Sequence, residues 1–90
     1  MTSLTDIKKI FLEGDVDRAI ALLDEYVAAH PESDEAYFLR GNAYRKKENW
    51  QEALNNYSEA MELNPEGPAT LAYNATIEVL DFFNKDMYNQ

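Results

Sequence analysis

Apolar residues in segment 34–67 recur at the three- and four-residue spacing of amphipathic helices. Tyr37, Gly41 and Tyr44 are separated by four and three positions, so they share one face of a helix. A second apolar stripe of the same period begins at Trp50. The pattern therefore predicts two amphipathic helices joined by a short polar turn.

Small side chains stand on these apolar faces at positions where bulky ones would be usual. Gly41, Ala53 and Ala60 allow the two helix axes to approach closely, and the neighbouring rings fill the space beside them. Pro65 ends the unit, because the residue before a proline is disfavoured in a helix. The rings expected in the core are those of Tyr37, Tyr44, Trp50 and Tyr57.

The same arrangement occurs 34 residues earlier in the chain. Ala19 aligns with Ala53, and Gly14 in the first turn aligns with Glu48 in the second. Glycine is the better turn residue of the two, since it adopts positive φ without steric cost. We therefore expect a second helix over residues 16–29, preceded by a shorter first helix.

After the second unit the pattern changes to a single long apolar helix. Pro68 suits its first position, because the fixed φ of proline is helical and its missing N–H is not needed there. Tyr73, Ile77 and Leu80 lie along one flank of its main apolar stripe. No partner helix follows, so this helix is expected to cover the last apolar face of the array.

The spacing of the central unit resembles the tetratricopeptide repeat (TPR), a helix-turn-helix unit of about 34 residues. Arg40 departs from the family pattern, in which an apolar residue usually precedes the glycine. The first unit is less similar, since Ser3 and Ile7 replace the opening aromatic residue and the glycine. The residues that match the family signature are Tyr37, Gly41, Tyr44, Ala53, Tyr57, Ala60 and Pro65.

This resemblance implies an all-α fold, a TPR-like α-α superhelix of two antiparallel helix pairs closed by one C-terminal capping helix. It also implies a non-catalytic protein–protein interaction module, an adaptor or scaffold. The end of the chain is similar to that of small stand-alone bacterial proteins with two such repeats and a cap. The predicted organisation is one domain over residues 1–84 (repeat 1 about 1–33, repeat 2 34–67, capping helix 68–84), followed by a polar tail, 85–90.

Composition argues against several classes of protein. The chain has 90 residues, enough for one small domain, and its net charge of −9 argues against nucleic acid as a partner, since that requires a basic surface. It contains no cysteine, and no apolar run approaches the roughly 20 residues of a membrane span. The first residues lack the order of a signal peptide, so we expect a cytoplasmic protein that binds no membrane, metal or cofactor.

Candidate catalytic groups are few. His30, the single histidine, lies in a turn before Pro31, where a polar residue is ordinary. Most carboxylates lie at predicted helix starts or on solvent faces, where the helix dipole and solubility account for them. The three glycines form no phosphate-binding loop. We therefore expect no catalytic residues and no enzymatic activity.

In arrays of this family, the first helices of successive repeats line a concave groove. Six of the eight basic residues fall on or at the ends of these helices, so we expect the positive charge on the concave side. These residues are Lys8, Lys9, Arg40, Arg45, Lys46 and Lys47. Aromatic, amide and cationic groups together suit an extended peptide with apolar anchors and acidic character. The helix dipole is an alternative explanation, since it alone favours Arg45, Lys46 and Lys47 at a helix C-terminus. The expected groove residues are Leu4, Lys8, Phe11, Phe38, Asn42 and Arg45.

The family's two-carboxylate clamp, which holds the C-termini of chaperones through lysines and asparagines, is not expected here. Only Asn42 stands where the clamp has one of its asparagines. Leu4 and Phe38 occupy positions that require lysine, and Ala69 and Tyr73 replace the lysine and arginine of the third repeat.

Self-assembly through the last helix is a second hypothesis. If Tyr73, Ile77 and Leu80 are exposed, they form an apolar patch that a second copy of the chain could cover. Alternatively, Met87 and Tyr88 of the tail fold back over the patch. A monomer is favoured, and a homodimer is possible.

Overall fold

The computed structural model describes the backbone of residues 1–88 and the side chains of residues 1–82. Over this part of the chain the secondary structure consists of five α-helices joined by short turns, with no strand. Residues 89–90, the end of the predicted tail, lie outside the described residues. The helices are α1 (Leu4–Leu12), α2 (Val16–Ala29), α3 (Asp34–Lys46), α4 (Trp50–Leu63) and α5 (Ala69–Tyr88).

The two helix pairs repeat each other in detail, because α2 and α4 begin and end at equivalent positions 34 residues apart. Asp15 caps α2 by accepting a hydrogen bond from the Arg18 backbone N–H at 3.3 Å, and Asn49 caps α4 in the same way. The turns also match, since Gly14 has φ +97° and Glu48 has φ +61°. The repeat predicted from the sequence therefore extends to individual backbone angles.

Serine side chains begin the first helix of each pair. Ser3 accepts a hydrogen bond from the Asp6 N–H, and Ser33 accepts one from the Ala36 N–H, each at 3.2 Å. These contacts satisfy backbone donors that a helix leaves unpaired at its start. Consecutive helices pack against each other along the chain, and α1 also contacts α3. The first helices thus lie side by side, as the superhelix requires.

The interior contains two clusters of buried apolar residues. The first is centred on Ile7 and Leu23, and the second on Tyr57. The rings of Tyr37 and Phe38 pack against both clusters and join them. Burial of these side chains is the main stabilising contribution to the fold, since a fully buried side chain such as Ile7 or Leu23 contributes about 1.5–3 kcal/mol relative to an exposed position.

Gly41 lies directly against the fully buried ring of Tyr57. A Cβ atom at this position would come within 2.6 Å of Tyr57 Cδ1 and Cε1, much closer than non-bonded atoms approach. The close approach of α3 and α4 that the small residues predicted is therefore present. Burial is complete only for Tyr57, because Tyr37, Tyr44 and Trp50, also expected in the core, are half-buried at its edge.

The last helix covers the end of the second cluster with its small residues. Ala69 and Thr76 are buried, and the Thr76 hydroxyl donates a hydrogen bond to the Ala72 carbonyl at 2.8 Å. Leu71 and Phe82 are 77% and 76% exposed. The backbone of α5 continues beyond residue 84, where the pattern predicted its end. None of the described helices combines the length and apolar character needed to cross a membrane.

Candidate functional site

Two adjoining hollows lie along α3, on the side that faces α1. Phe11 and Asn42 line both of them, so the hollows form one continuous depression, here called the groove. The N-terminal hollow has a volume of about 410 Å³ and is lined by Lys8, Phe11, Leu12, Asp34, Glu35, Phe38, Leu39, Asn42 and Pro68. The C-terminal hollow has a volume of about 440 Å³ and is lined by Phe11, Asn42, Arg45, Lys46, Glu48 and Trp50.

The apolar floor of the groove consists of rings that the core holds in place. Phe11 and Phe38 are half-buried and pack against the first cluster. The Phe38 ring also lies 6.0 Å from the Tyr57 ring, centroid to centroid, at an angle of 40°. Tilted aromatic pairs at this distance are favourable. These contacts with the core hold the rings of the floor in place.

Asn42 is oriented by a hydrogen bond from beneath the floor. The Tyr57 hydroxyl donates to Asn42 Oδ1 at 2.6 Å. Burial raises the pKa of Tyr57 above its ordinary value of 10.0, and the nearby positive charge of Arg45 opposes this shift. Among the described residues, Asn42 Nδ2 has no acceptor, and it is not buried. Its two N–H donors thus remain available at the centre of the groove.

Charges of opposite sign lie at the two ends of the groove. Asp34 and Glu35, in the first turn of α3, line the N-terminal hollow. Lys8 faces Glu35 across this hollow at 4.0 Å, and both side chains are more than half exposed, so the pair contributes little stability. Arg45 and Lys46, in the last turn, line the C-terminal hollow.

Two of the basic residues expected on the groove side lie elsewhere. Arg40 donates hydrogen bonds to Asp24 of α2 at 2.8 Å and to Asn56 of α4 at 2.7 Å, and its guanidinium stacks over Tyr37. Lys47 pairs with Asp17 at the start of α2. The expectation that the cations of the first helices share the concave side is wrong for these two. Their long side chains reach the carboxylates of the second helices instead.

Five of the six predicted groove residues line the groove. Lys8, Phe11, Phe38 and Asn42 border the N-terminal hollow, and Arg45 borders the C-terminal one. Leu4 lines neither hollow; it is half-buried against the first cluster.

Sequence reasoning missed Asp34, Glu35, Lys46 and Trp50. The first three lie within one helical turn of the predicted stripe of Phe38, Asn42 and Arg45, so extending its period in both directions would have found them.

A third hollow, of about 350 Å³, lies between α4 and α5. Tyr73 and Leu80, two of the residues predicted for self-association, line it, whereas Ile77 does not. All three are half-buried. The side chains of Met87 and Tyr88, which were considered as a cover for this patch, lie outside the described residues. The remaining lining residues are Gln51, Leu54, Asn55 and Ser58.

The single histidine has neighbours outside the groove. His30 lies 3.7 Å from Glu32 and stacks against Tyr26, with ring centroids 4.5 Å apart. In the described part of the chain, no three histidine, aspartate or glutamate side chains are grouped as metal ligands.

Two independent matches identify the family of this array. The tetratricopeptide repeat family matches residues 34–66 and, in a second match, residues 9–33. The chain therefore belongs to the tetratricopeptide repeat family, whose members generally mediate protein–protein interactions and are generally non-catalytic.

The chain is also similar over its full length to a solved structure, the solution NMR structure of the Bacteroides fragilis protein BF1650. The two sequences are 49% identical, the match covers 100% of this chain and 92% of that one, and the TM-score is 0.86. No curated protein matches the sequence significantly.

Proposed function

We propose that the groove binds an extended segment of a partner protein and that this contact is the function of the chain. One observation carries the proposal: the Asn42 amide donors lie at the centre of a groove with an aromatic floor. An extended peptide has unpaired backbone carbonyls that accept such donors, and its alternate side chains point into the apolar floor.

The cations of the C-terminal hollow give the partner an acidic character at that end. Arg45 and Lys46 lie beside Trp50, so a carboxylate bound here can form charge-assisted hydrogen bonds next to an apolar surface. The net charge of −9 argues against nucleic acid as a partner. The mechanism needs no cofactor and no chemical step, because binding alone brings the partner segment to the array.

The test uses a displayed library of random peptides about 12 residues long, which span about 40 Å when extended. Peptides enriched on the immobilised protein are synthesised, and the amide chemical shifts of the protein are mapped as each one is added. We expect the largest shifts at Phe11, Phe38, Asn42 and Trp50. A library without enriched peptides, or shifts confined to α2 and the outer face of α5, would overturn the proposal.

A pair of variants separates binding from folding. Lys46→Glu changes a charge in the groove, and Arg18→Glu makes a comparable change on the exposed surface of α2. We expect weaker binding of acidic peptides by the first variant only, with both variants melting near the parent temperature. Phe38→Ala is less suitable, because Phe38 also packs against both core clusters.

Self-association through α5 is the second candidate function. The hollow that Tyr73 and Leu80 form with α4 is the observation that favours it, since a second copy could place an apolar side chain there. Sedimentation equilibrium from micromolar to millimolar concentration tests it. A dimer whose formation shifts the amides of residues 51–58 and 73–80 supports this candidate, whereas a monomer throughout the range excludes it.

A further inference from the structure

The two hollows of the groove carry opposite charge. The N-terminal hollow has two carboxylates, Asp34 and Glu35, against the single ammonium of Lys8. The C-terminal hollow has two cations, Arg45 and Lys46, against one carboxylate. The groove is therefore acidic at one end and basic at the other, rather than basic throughout.

The helix dipole alone does not explain this distribution. It favours carboxylates in the first turn and cations in the last turn of any helix, on every face. The second helices of the two pairs, α2 and α4, have carboxylates in their first turns, but neither has a basic residue in its last turn. The first helices α1 and α3 do carry cations there. Among α1–α4, an acidic first turn and a basic last turn therefore occur together only in α1 and α3, the helices that form the groove.

The distance between the two charged ends fits a short extended segment. Glu35 and Arg45 lie ten positions apart in α3, which is about 15 Å along a helix axis. An extended chain covers that distance in about four to five residues. Phe11, Phe38 and the Asn42 amide occupy the space between the charged ends. A bound segment therefore has room for apolar residues and one anchored backbone carbonyl in the middle.

We propose that the partner segment is bipolar: it carries a basic side chain over Asp34 and Glu35, apolar residues in the middle, and a carboxylate over Arg45 and Lys46, with the two charges four to five positions apart. This inference rests on the proposed function and specifies its ligand. A uniformly acidic segment fits less well, because one of its carboxylates would lie against the two at the N-terminal hollow. The carboxylate is that of an acidic side chain or of a free C-terminus.

The charge pattern of library-selected peptides tests the proposal. Two libraries are used, one with free peptide C-termini and one in which the C-terminus is fused to the carrier. We expect the enriched sequences to pair one lysine or arginine with one carboxylate at the stated spacing. Enrichment only in the first library assigns the carboxylate to the C-terminus, and enrichment in both assigns it to a side chain; either result supports the bipolar ligand.

Charge-reversal variants then test each end separately. Glu35→Lys should weaken a bipolar peptide roughly five- to tenfold, as for the loss and reversal of an exposed ion pair. Affinity should return when the basic residue of the peptide is replaced by glutamate. Lys46→Glu should show the same behaviour with the carboxylate of the peptide. Glu25→Lys and Arg18→Glu on the exposed surface of α2 are the matched controls and should leave the affinity unchanged.

The outcomes separate the bipolar ligand from the proposed function. Enriched peptides that are uniformly acidic, or that lack a charge preference, overturn the bipolar ligand and leave peptide binding in the groove intact. Charge reversals that weaken every peptide equally, without recovery by the matching reversal, also overturn it. The absence of enriched peptides, or their binding outside the groove, overturns both. Salt should reduce the difference between matched and mismatched pairs, because exposed charges are screened.

Discussion

Substitution of Gly41 by alanine directly tests the close contact between α3 and α4. The added Cβ would lie 2.6 Å from two atoms of the Tyr57 ring. The ring has little freedom to move, since it is fully buried and its hydroxyl is bonded to Asn42. Overpacking of this kind costs about 1–3 kcal/mol, whereas replacing glycine by alanine within a helix gains about 1 kcal/mol. We therefore expect a net loss of about 1 kcal/mol.

Urea denaturation and thermal melts measure this loss. In a domain of this size, about 1 kcal/mol corresponds to a decrease in Tm of about 4–8 °C. Ala28→Gly, at an exposed position in α2, measures the intrinsic difference between alanine and glycine in this protein. Subtracting that difference isolates the steric cost at Gly41.

A double variant shows whether Tyr57 is the source of the cost. With Tyr57→Leu, the flat ring no longer occupies the space beside Gly41, so adding Gly41→Ala should cost less than it does in the parent protein. Non-additivity of this kind is expected for residues in contact. If Gly41→Ala instead stabilises the parent protein by the full alanine–glycine difference, no close contact exists, and the proposed basis for the packing of α3 on α4 is refuted.

Three further predictions concern stability. Arg40→Leu should lower the free energy of unfolding by about 1–3 kcal/mol in urea denaturation, because the buried Asn56 Oδ1 loses its hydrogen-bond donor. Adding Asn56→Leu should restore most of the lost stability, and no recovery would contradict the role given to Asn56. Glu48→Gly should raise stability by about 1 kcal/mol, since the residue has φ +61°, and an unchanged melting temperature would disagree. Tyr57→Phe should cost about 1 kcal/mol at neutral pH through the lost hydrogen bond. Burial raises the pKa of Tyr57, so the stability that its protonated hydroxyl contributes is complete below pH 10 and is lost as the pH rises through the pKa of the folded state. Above pH 10, Tyr57→Phe should therefore lose stability less steeply than the parent protein. Parallel profiles of stability against pH would rule this out.

The helical array could be predicted from the sequence because its determinants are local. The bounds of α2 follow from a helical period with a capping residue at one end and Pro31 after the other. The same signals recur 34 positions later in α4, between Asn49 and Pro65. Gly41 indicated a close helix contact. Glycine within a helix costs stability relative to alanine, so its presence on an apolar face suggests that another group requires the space.

The directions of long polar side chains could not be predicted in this way. Periodicity assigns a residue to a face of its helix but does not give the direction of a long side chain, and that of Arg40 reaches Asp24 and Asn56. The bond between Tyr57 and Asn42 likewise depends on the relative rotation of two helices. The predicted end of α5 was too early, because the apolar pattern fades after residue 83 but no glycine or proline follows before residue 88 to stop the helix.

The contacts of Arg40 have a consequence for the shape of the concave side. Its guanidinium links the second helices of the two repeats, through Asp24 in α2 and Asn56 in α4, while its backbone belongs to the first helix of the second repeat, α3. These contacts therefore help to hold the angle between the repeats, and with it the curvature of the proposed binding groove. If the groove binds a partner as proposed, we expect substitutions at these three positions to change which partners fit, although none of the three residues lines the groove. Selectivity would then be adjustable at a distance.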